Sequence, residues 1–347
     1  MNFAVIKKLP LSDEIIKAFP LSDSGIEKVA RDQQEVKDIL AGRDNRLLVI
    51  VGPCSAWPYD GVLEFAQRLK KLEYLVSDKL KLVMRVYIQK PRTSKGWTGP
   101  INQQNPFTAP DIEDGIRYSR RLMVKIIEMG LPIADEAVFT HNAKCFVALL
   151  SWLAIGARST EDQEHRIHAS AMDCAVGMKN PTSGSIEIGV NSIVAAQHGH
   201  TAVFDGVQVE TFGNQYAHLV LRGGADGPNY HREDICSAKK HLELQKVLNP
   251  AVIIDASHDN CKMEGVKDPL QQINVAHEVM TTLKLYPDLQ RVVKGFMFES
   301  FLKRGCQKVE ALTEETIDMD GLSITDPCLG WDETEQLLKE IAALHTI

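Results

Sequence analysis

The stretch from Arg46 to Ser55 reads RLLVIVGPCS and decides the fold class. Five consecutive apolar residues, Leu47 to Val51, are followed at once by glycine and proline. A short run that is rich in β-branched side chains and apolar on both faces is typical of a buried parallel strand. Cys54 and Ser55 therefore stand just beyond the end of that strand.

The same kind of run recurs along the chain, and helical patterns separate the runs. The eight apolar runs are 46–52, 80–87, 131–138, 153–157, 175–179, 218–222, 251–257 and 292–299. The helical patterns lie at 60–75, 111–129, 141–150, 163–172, 186–196, 232–248, 269–283 and 333–344. This α/β alternation predicts a TIM (β/α)8 barrel, with an open doubly wound sheet as the alternative that periodicity leaves open.

Two segments lie outside the repeat. Residues 1–45 form an N-terminal extension with a helical stretch at 25–41, and we expect it to make oligomer contacts. Residues 201–212 read as two short strands about Asp205 and Gly206, which is a type I′ hairpin signal. The predicted organisation is the extension followed by a barrel domain over 46–347, with the hairpin inserted.

The overall charge and the cysteine pattern limit the function classes and the compartment. The 347 residues carry 39 Lys and Arg against 46 Asp and Glu, a net charge of −7, which argues against nucleic acid as a partner. No apolar window is long enough for a membrane span, and residues 1–20 lack a signal-peptide pattern. Seven scattered cysteines without a Cys-x-x-Cys motif favour a reducing cytoplasm.

Basic residues stand at the predicted carboxyl ends of the strands, where a TIM barrel carries its chemistry. The set consists of Arg85, Lys90, Arg92, Arg158, Lys179 and Arg222. One basic residue after a strand is usually only solvated, but six that converge on the mouth of an acidic barrel indicate an anion site. They could hold two phosphorylated substrates, or one phosphate and one carboxylate.

A second set at the strand ends has the chemistry of a metal site. It consists of Cys54, His258, Glu299 and Asp326. A thiolate and an imidazole disfavour Mg and Ca, whereas the two carboxylates admit Mn, Fe, Co or Zn. The spacing is not a local metal motif, so these residues also permit a buried structural cysteine beside solvated carboxylates.

Taken in order, the strand-end motifs resemble class I 3-deoxy-D-arabino-heptulosonate 7-phosphate (DAHP) synthase, of the bacterial group sensitive to phenylalanine, tyrosine or tryptophan. The resemblance runs from about residue 46 to residue 331. Its motifs are Gly52-Pro53-Cys54-Ser55, Met84-Arg85-Val86-Tyr87, Lys90-Pro91-Arg92-Thr93, Gly156-Ala157-Arg158, Met178-Lys179-Asn180, Leu221-Arg222-Gly223-Gly224, Asp255-Ala256-Ser257-His258, Glu299-Ser300 and Thr325-Asp326.

The resemblance implies a metal-dependent condensation of phosphoenolpyruvate with D-erythrose 4-phosphate, at the entry to the shikimate pathway of aromatic amino acid biosynthesis. By motif, the residues for phosphoenolpyruvate are Arg85, Lys90, Arg158, Lys179 and Arg222. The segment Lys90-Pro91-Arg92-Thr93 would hold the sugar phosphate. The ligands of one divalent transition metal ion would be Cys54, His258, Glu299 and Asp326. Lys90 is the candidate for proton transfer, with a metal-bound or Glu136-linked water as the alternative, and Glu136 is the candidate for positioning water. A homodimer or homotetramer is expected.

Several neighbours of these motifs depart from the family pattern. Ala56-Trp57-Pro58 stands in place of a His-Asp segment, and Phe301 in place of a histidine. Gln89 replaces a glutamate, and Asp135-Glu136-Ala137 replaces Gly-Glu-Phe. Such changes around a metal site can cost roughly 10–100-fold in affinity or activity. The hairpin is also shorter than in the regulated isoenzymes, which predicts weakened or absent feedback by aromatic amino acids.

Two other functions stay open at this level. One is the same chemistry on another phosphorylated aldose, as in 3-deoxy-octulosonate 8-phosphate synthase. The other is a paralog that binds phosphate ligands with little turnover and assembles with an active synthase, which the altered neighbours motivate.

Overall fold

The structure is a computed structural model that describes residues 1–92, 95–140 and 143–345. The helices in these ranges are α1 Ser12–Ala18, α2 Asp23–Leu40, α3 Tyr59–Val76, α4 Ile112–Glu128, α5 Gln163–Ser170, α6 Ile186–Gln197, α7 Arg232–Leu244, α8 Gln271–Leu285 and α9 Trp331–Leu344. The strands are β1 Leu47–Gly52, β2 Leu80–Arg85, β3 Ile133–Ala137, β4 Trp152–Ile155, β5 Ala175–Lys179, β6 Thr201–Phe204, β7 Val207–Glu210, β8 His218–Leu221, β9 Val252–Asp255, β10 Lys262–Met263, β11 Val266–Lys267 and β12 Val293–Glu299. Thr93, one of the predicted sugar-phosphate residues, lies outside the described residues.

Eight of the strands close into a barrel in the order β1-β12-β9-β8-β5-β4-β3-β2. Adjacent strands are parallel, as in the pairing of Val51 in β1 with Met84 in β2 and Phe298 in β12. Each of the eight predicted runs forms one of these strands, so the TIM barrel is confirmed. Closure of the sheet excludes the open doubly wound alternative.

The continuous apolar runs follow from burial of both strand faces. Successive side chains of a strand point to opposite faces. In β1, Leu48 and Ile50 pack inside the barrel, whereas Val49 and Val51 pack with the surrounding helices. All six residues of this strand are buried, as the sequence predicted.

The extension closes the N-terminal end of the barrel through α2. Val36, Ile39 and Leu40 of this helix belong to the same apolar cluster as the barrel interior. The buried Lys81 in β2 forms ion pairs with two acids of α2, at 2.7 Å from Asp32 and 2.9 Å from Glu35. The extension is thus part of the folded core, and its oligomer contacts stay a prediction.

One predicted helix is wrong. The pattern at 141–150 predicted a helix after β3, but its described part forms two short 3₁₀ helices, Ala143–Cys145 and Val147–Leu149, while 141 and 142 lie outside the described residues. Helix α1 packs against the first of these and against α4. Arg120 of α4 donates hydrogen bonds to the carbonyls of Phe19 and Cys145. Because the extension already covers this part of the wall, the segment needs no helix of its own.

The inserted hairpin is present as predicted. Strands β6 and β7 pair in antiparallel fashion, from Thr201 opposite Glu210 to Phe204 opposite Val207. Asp205 and Gly206 both have positive φ, 49° and 78°, as a type I′ turn requires. Among the helices in the described ranges, none is long and apolar enough to cross a membrane.

Candidate active site

A cavity of about 350 Å³ lies at the carboxyl ends of the barrel strands. Ten of the predicted site residues line it: Arg85, Lys90, Pro91, Arg92, Glu136, Arg158, Lys179, Arg222, His258 and Asp326. Cys54 and Glu299 are fully buried and contact lining residues directly. The barrel therefore brings together every predicted site residue that the structure describes.

The predicted metal ligands form a compact cluster. Ligand atoms of Cys54, Glu299 and Asp326 all lie within 4.8 Å of one another. His258 Nε2 is 3.8 Å from Glu299 Oε1. Its Nδ1 lies 2.8 Å from an oxygen of the buried Asp255, which holds the ring so that Nε2 faces the cluster. This donor set of one thiol, one imidazole and two carboxylates fits a divalent transition metal ion.

Each member of the close cluster also contacts a cation. Lys90 Nζ lies 3.0 Å from Cys54 Sγ and donates a 2.8 Å hydrogen bond to the carbonyl of the same residue. Arg85 Nη2 donates to Glu299 Oε1 at 2.9 Å. Lys267 Nζ donates to Asp326 Oδ2 at 2.6 Å. The acidic groups of the cluster are therefore balanced by cations from β2, from the loop that follows it and from β11.

These charges set the protonation states of the cluster. Burial and the nearby Glu299 raise the pKa of the Cys54 thiol above its usual range. Burial would also raise the pKa of Asp326, but Lys267 and His258 outweigh it and hold that pKa below its usual range. Because metal ions bind the thiolate, a cation that enters this site displaces the thiol proton.

The opposite wall of the cavity carries a second buried ion pair. Lys179 Nζ donates to Glu136 Oε2 at 2.9 Å. Burial alone would raise the pKa of Glu136, but Lys179 and Lys90 outweigh it and bring the pKa to about 2. A Cβ added to Gly156 would lie 2.7 Å from Glu136 Oε1, so glycine is required there for the carboxylate to keep its place. Glu136 is therefore a charged acceptor in the cavity.

Two guanidinium groups leave buried donors toward the cavity. Arg85 Nε and Nη1 and Arg222 Nε have no hydrogen-bond partner among the described residues, although all three atoms are buried. The other side of Arg222 is held by Asp259. Since an unpaired buried N–H group is costly, these atoms mark positions for the oxygens of an anionic ligand.

Five lining residues were not predicted as site residues: Tyr87, Lys95, Ala157, Lys267 and Thr325. Lys267 belongs to the small sheet β10–β11, so it does not stand at the end of any predicted barrel strand. Tyr87 follows β2 and was noted only as part of a motif. Its ring lies 4.1 Å from the Arg85 guanidinium carbon and 5.8 Å from the Nζ atoms of Lys90 and Lys179. The ring thus keeps three cations together through cation–π contacts.

The departures from the family pattern lie in the packing around the cavity, and none of them is a lining residue. Gln89 Oε1 accepts hydrogen bonds from the backbone N–H groups of Val138 and Phe139, at 3.0 and 2.6 Å. The ring of Phe301 packs at 6.3 Å from that of Phe65. Ala56 and Trp57 are buried. The changes therefore alter the support of the site and leave its charged groups in place.

Because of the buried carboxyl group of Asp135, we expect the free energy of unfolding to depend on pH. Its Oδ1 accepts the backbone N–H of Ile88 at 3.1 Å, and burial raises the pKa of its carboxyl group to about 8. An ordinary aspartate has a pKa of about 3.9. Asp135 therefore contributes stability that is complete below about pH 4 and is lost as the pH rises through 8.

We expect Asp135→Asn to gain stability relative to the unsubstituted chain as the pH rises from about 5 to 8. The slope is up to about 1.4 kcal/mol per pH unit, since the folded state alone keeps the proton. Urea unfolding at several pH values measures it. A difference in unfolding free energy that stays constant with pH would contradict the assignment.

The fold and the site together define a class: barrel enzymes with a cation-lined cavity beside a cluster of potential metal ligands. The chain belongs to the DAHP synthetase I family, whose model matches residues 25–339. It is 40% identical over 336 residues to the Tyr-sensitive phospho-2-dehydro-3-deoxyheptonate aldolase of Salmonella typhimurium, covering 95% of this chain and 91% of the relative.

Two further relatives agree with this assignment. The Trp-sensitive phospho-2-dehydro-3-deoxyheptonate aldolase of Enterobacter agglomerans is 40% identical over 328 residues, covering 93% of this chain and 91% of the relative. The solved structure of phospho-2-dehydro-3-deoxyheptonate aldolase from Francisella tularensis is 33% identical, with a TM-score of 0.92 and coverage of 99% of this chain and 98% of that chain. The resemblance read from the motifs is confirmed.

Proposed function

We propose that the protein condenses phosphoenolpyruvate with D-erythrose 4-phosphate to give DAHP and phosphate, the first step of the shikimate pathway. The observation that carries this proposal is the pair of buried guanidinium groups, Arg85 and Arg222. Both residues line a cavity beside the cluster of Cys54, Glu299 and Asp326, and both carry buried donors without a hydrogen-bond partner among the described residues. Family membership supports the same reaction.

Phosphoenolpyruvate carries a carboxylate and a phosphate, and the cavity offers cations on several sides for both. The residues that hold it are Arg85, Lys90, Arg158, Lys179 and Arg222. Fixed cations need little reorganisation when charge develops at the reacting carbon, so they favour the transition state. Pro91 and Arg92 lie at the more exposed rim and, with Thr93, hold the phosphate of the sugar.

The proposed cation site borders the cavity that these residues line. Cys54, His258, Glu299 and Asp326 would hold one divalent ion, Mn, Fe, Co or Zn. When bound, such an ion supplies Lewis acidity toward the aldehyde oxygen of erythrose 4-phosphate. The protein side chains bring the two substrates face to face, which supplies proximity and orientation.

Two side chains manage the protons of the reaction. Carbon 3 of phosphoenolpyruvate forms a bond with the aldehyde carbon, and the aldehyde oxygen gains a proton from Lys90. Attraction by Cys54 and Glu299 outweighs burial and raises the pKa of Lys90, so that it carries a proton to give. Water then adds at carbon 2, oriented by the charged Glu136, and one of its protons returns to Lys90. The carbon–oxygen bond to phosphate breaks, and the remaining hydroxyl proton leaves with the phosphate as carbon 2 becomes the ketone.

Phosphate release from phosphoenolpyruvate tests the proposal directly. We expect release with erythrose 4-phosphate when Mn is supplied, and none after treatment with a chelator. Release only with another phosphorylated aldose would point to the octulosonate-type reaction. No release with any aldose would overturn the proposal in favour of a binding paralog.

We expect weak or absent inhibition by phenylalanine, tyrosine and tryptophan, because the hairpin β6–β7 is reduced to a two-residue turn. Initial rates measured over a series of concentrations of each amino acid check this expectation. A micromolar inhibition constant for any of the three would contradict it.

We also propose a homodimer or homotetramer in the cytoplasm. Apolar side chains are exposed on the first residues and on the hairpin, and Ile6 and Val203 have exposed fractions of 95% and 71%. All seven cysteines are free, which suits a reducing compartment. Light scattering coupled to size exclusion measures the oligomeric state.

A further inference from the structure

A second cavity, of about 610 Å³, lies at the opposite, N-terminal end of the barrel. The loop after α2, the first residues of β1 and β12, and the ends of α8 and α9 form its wall. It shares no lining residue with the active-site cavity. Anything that binds here therefore occupies a separate site.

The lining of this N-terminal cavity combines apolar and amide side chains. The apolar side chains include Leu47, Met280, Leu283, Val293 and Leu344, and the amides are Asn45, Asn249 and Gln290. Apolar side chains of a small-molecule site contact the body of the ligand, and polar groups beside them orient it.

The charges in the N-terminal cavity are not balanced. Its one lining carboxylate, Asp44, lies 2.6 Å from Arg46, which also pairs with Glu35 at 2.9 Å. The remaining cations are Lys284, Arg291 and Lys294. In the part of the chain that the structure describes, none of these three forms a hydrogen bond or an ion pair, and Arg291 is attracted only at longer range by Asp288, which does not line the cavity. The cavity therefore presents excess positive charge.

The ammonium group of Lys294 is partly withdrawn from water, unlike that of an ordinary surface lysine. It is the second residue of β12, it is only partly exposed, and burial lowers its pKa. A Cβ added to Gly42, another lining residue, would lie 3.4 Å from its Nζ atom, which places the ammonium group inside the cavity wall. Removing an ammonium group from water without a counter-charge is unfavourable.

Lys81 occupies the equivalent position in another strand of the same barrel. Lys81 is the second residue of β2 and is more deeply buried, and it has two acids as partners, Asp32 and Glu35. At the same level of the barrel, one lysine is thus neutralised by the protein and the other is left facing a cavity. Among the described residues no carboxylate pairs with Lys294, which leaves a place for the acid of a ligand.

We propose that the N-terminal cavity binds a small organic carboxylate with an apolar body, whose carboxylate pairs with Lys294. The apolar residues contact the body of the ligand, and the amides orient it. Lys284 and Arg291 add long-range attraction for the anion. This site is distinct from the phosphoenolpyruvate site and does not depend on the proposed reaction.

Phenylacetate and its neutral analogue phenylacetamide test the proposal, since they differ in charge and hardly in shape. Binding is measured by calorimetry with the active site saturated by phosphoenolpyruvate, so that the carboxylate cannot enter there. We expect phenylacetate to bind roughly 10-fold more tightly than phenylacetamide, as a charge-assisted hydrogen bond implies. The affinity for phosphoenolpyruvate should be the same with and without phenylacetate.

Three variants make the test specific. Lys294→Met should lose the preference for phenylacetate and keep the affinity for phenylacetamide, whereas Lys294→Arg should retain the preference. Lys71→Met removes an exposed lysine outside the cavity and should change neither affinity. Equal binding of acid and amide, a Lys294→Met variant that binds like the parent, or no saturable binding of phenylacetate would each overturn the proposal.

Discussion

Replacing Lys90 by methionine should lower kcat for DAHP formation by about 100- to 10,000-fold, which is the usual contribution of a positioned proton donor. Lys90 Nζ lies 3.0 Å from Cys54 Sγ and lines the cavity that faces both substrates. Methionine keeps the length of the side chain and removes the proton and the charge. Steady-state rates with both substrates varied would separate the loss in kcat from changes in KM.

Lys95→Met is the matched control for this prediction. Lys95 lines the same cavity, but its side chain is exposed at the rim. Its loss should affect KM for the sugar phosphate more than kcat. Metal content must be measured for Lys90→Met, because this lysine also touches a proposed ligand. A variant that keeps its metal and also keeps kcat within a few-fold of the parent would exclude Lys90 as the proton donor.

The barrel and the grouping of the charged residues could be predicted because both depend on local patterns. A strand buried on both faces requires an apolar run, and the residue that follows it is placed at the barrel mouth whatever the rest of the chain does. Glu136 near the end of β3, Lys179 at the end of β5 and Arg222 after β8 are successively more than 40 residues apart, yet they line one cavity because the carboxyl ends of the strands meet there. The net charge of −7 gave no sign of that concentration of cations.

Features that depend on contacts between distant segments could not be predicted in this way. The helical pattern at 141–150 gave way to 3₁₀ helices because α1 and Arg120 cover that segment. Lys267 contacts Asp326 from the small sheet β10–β11, whose two strands do not appear as apolar runs in the sequence. The position of Lys294 in a cavity depends on where α2, α8 and α9 end. In each case the feature results from how distant elements pack together, so the sequence of a single element does not predict it.

Replacing Glu299 by glutamine should both weaken metal binding and destabilise the folded protein in the absence of metal. The side chains of Arg85 and Glu299 are 0% and 1% exposed and 2.9 Å apart. Glutamine leaves the Arg85 guanidinium buried without its counter-charge, and breaking a buried pair in this way costs about 3–5 kcal/mol. Glu310→Gln, which alters an exposed carboxylate, should change neither property.

A double-mutant cycle separates the two effects of this substitution. Arg85→Met combined with Glu299→Gln removes the stranded charge together with its partner, so it should recover much of the stability that Glu299→Gln loses. It should not recover metal binding, because the carboxylate ligand is still missing. Urea unfolding in chelator and metal content after dialysis measure the two quantities independently. If Glu299→Gln unfolds like the parent in chelator, then Glu299 does not serve as the counter-charge of Arg85, and the cations around this cluster are balanced in another way.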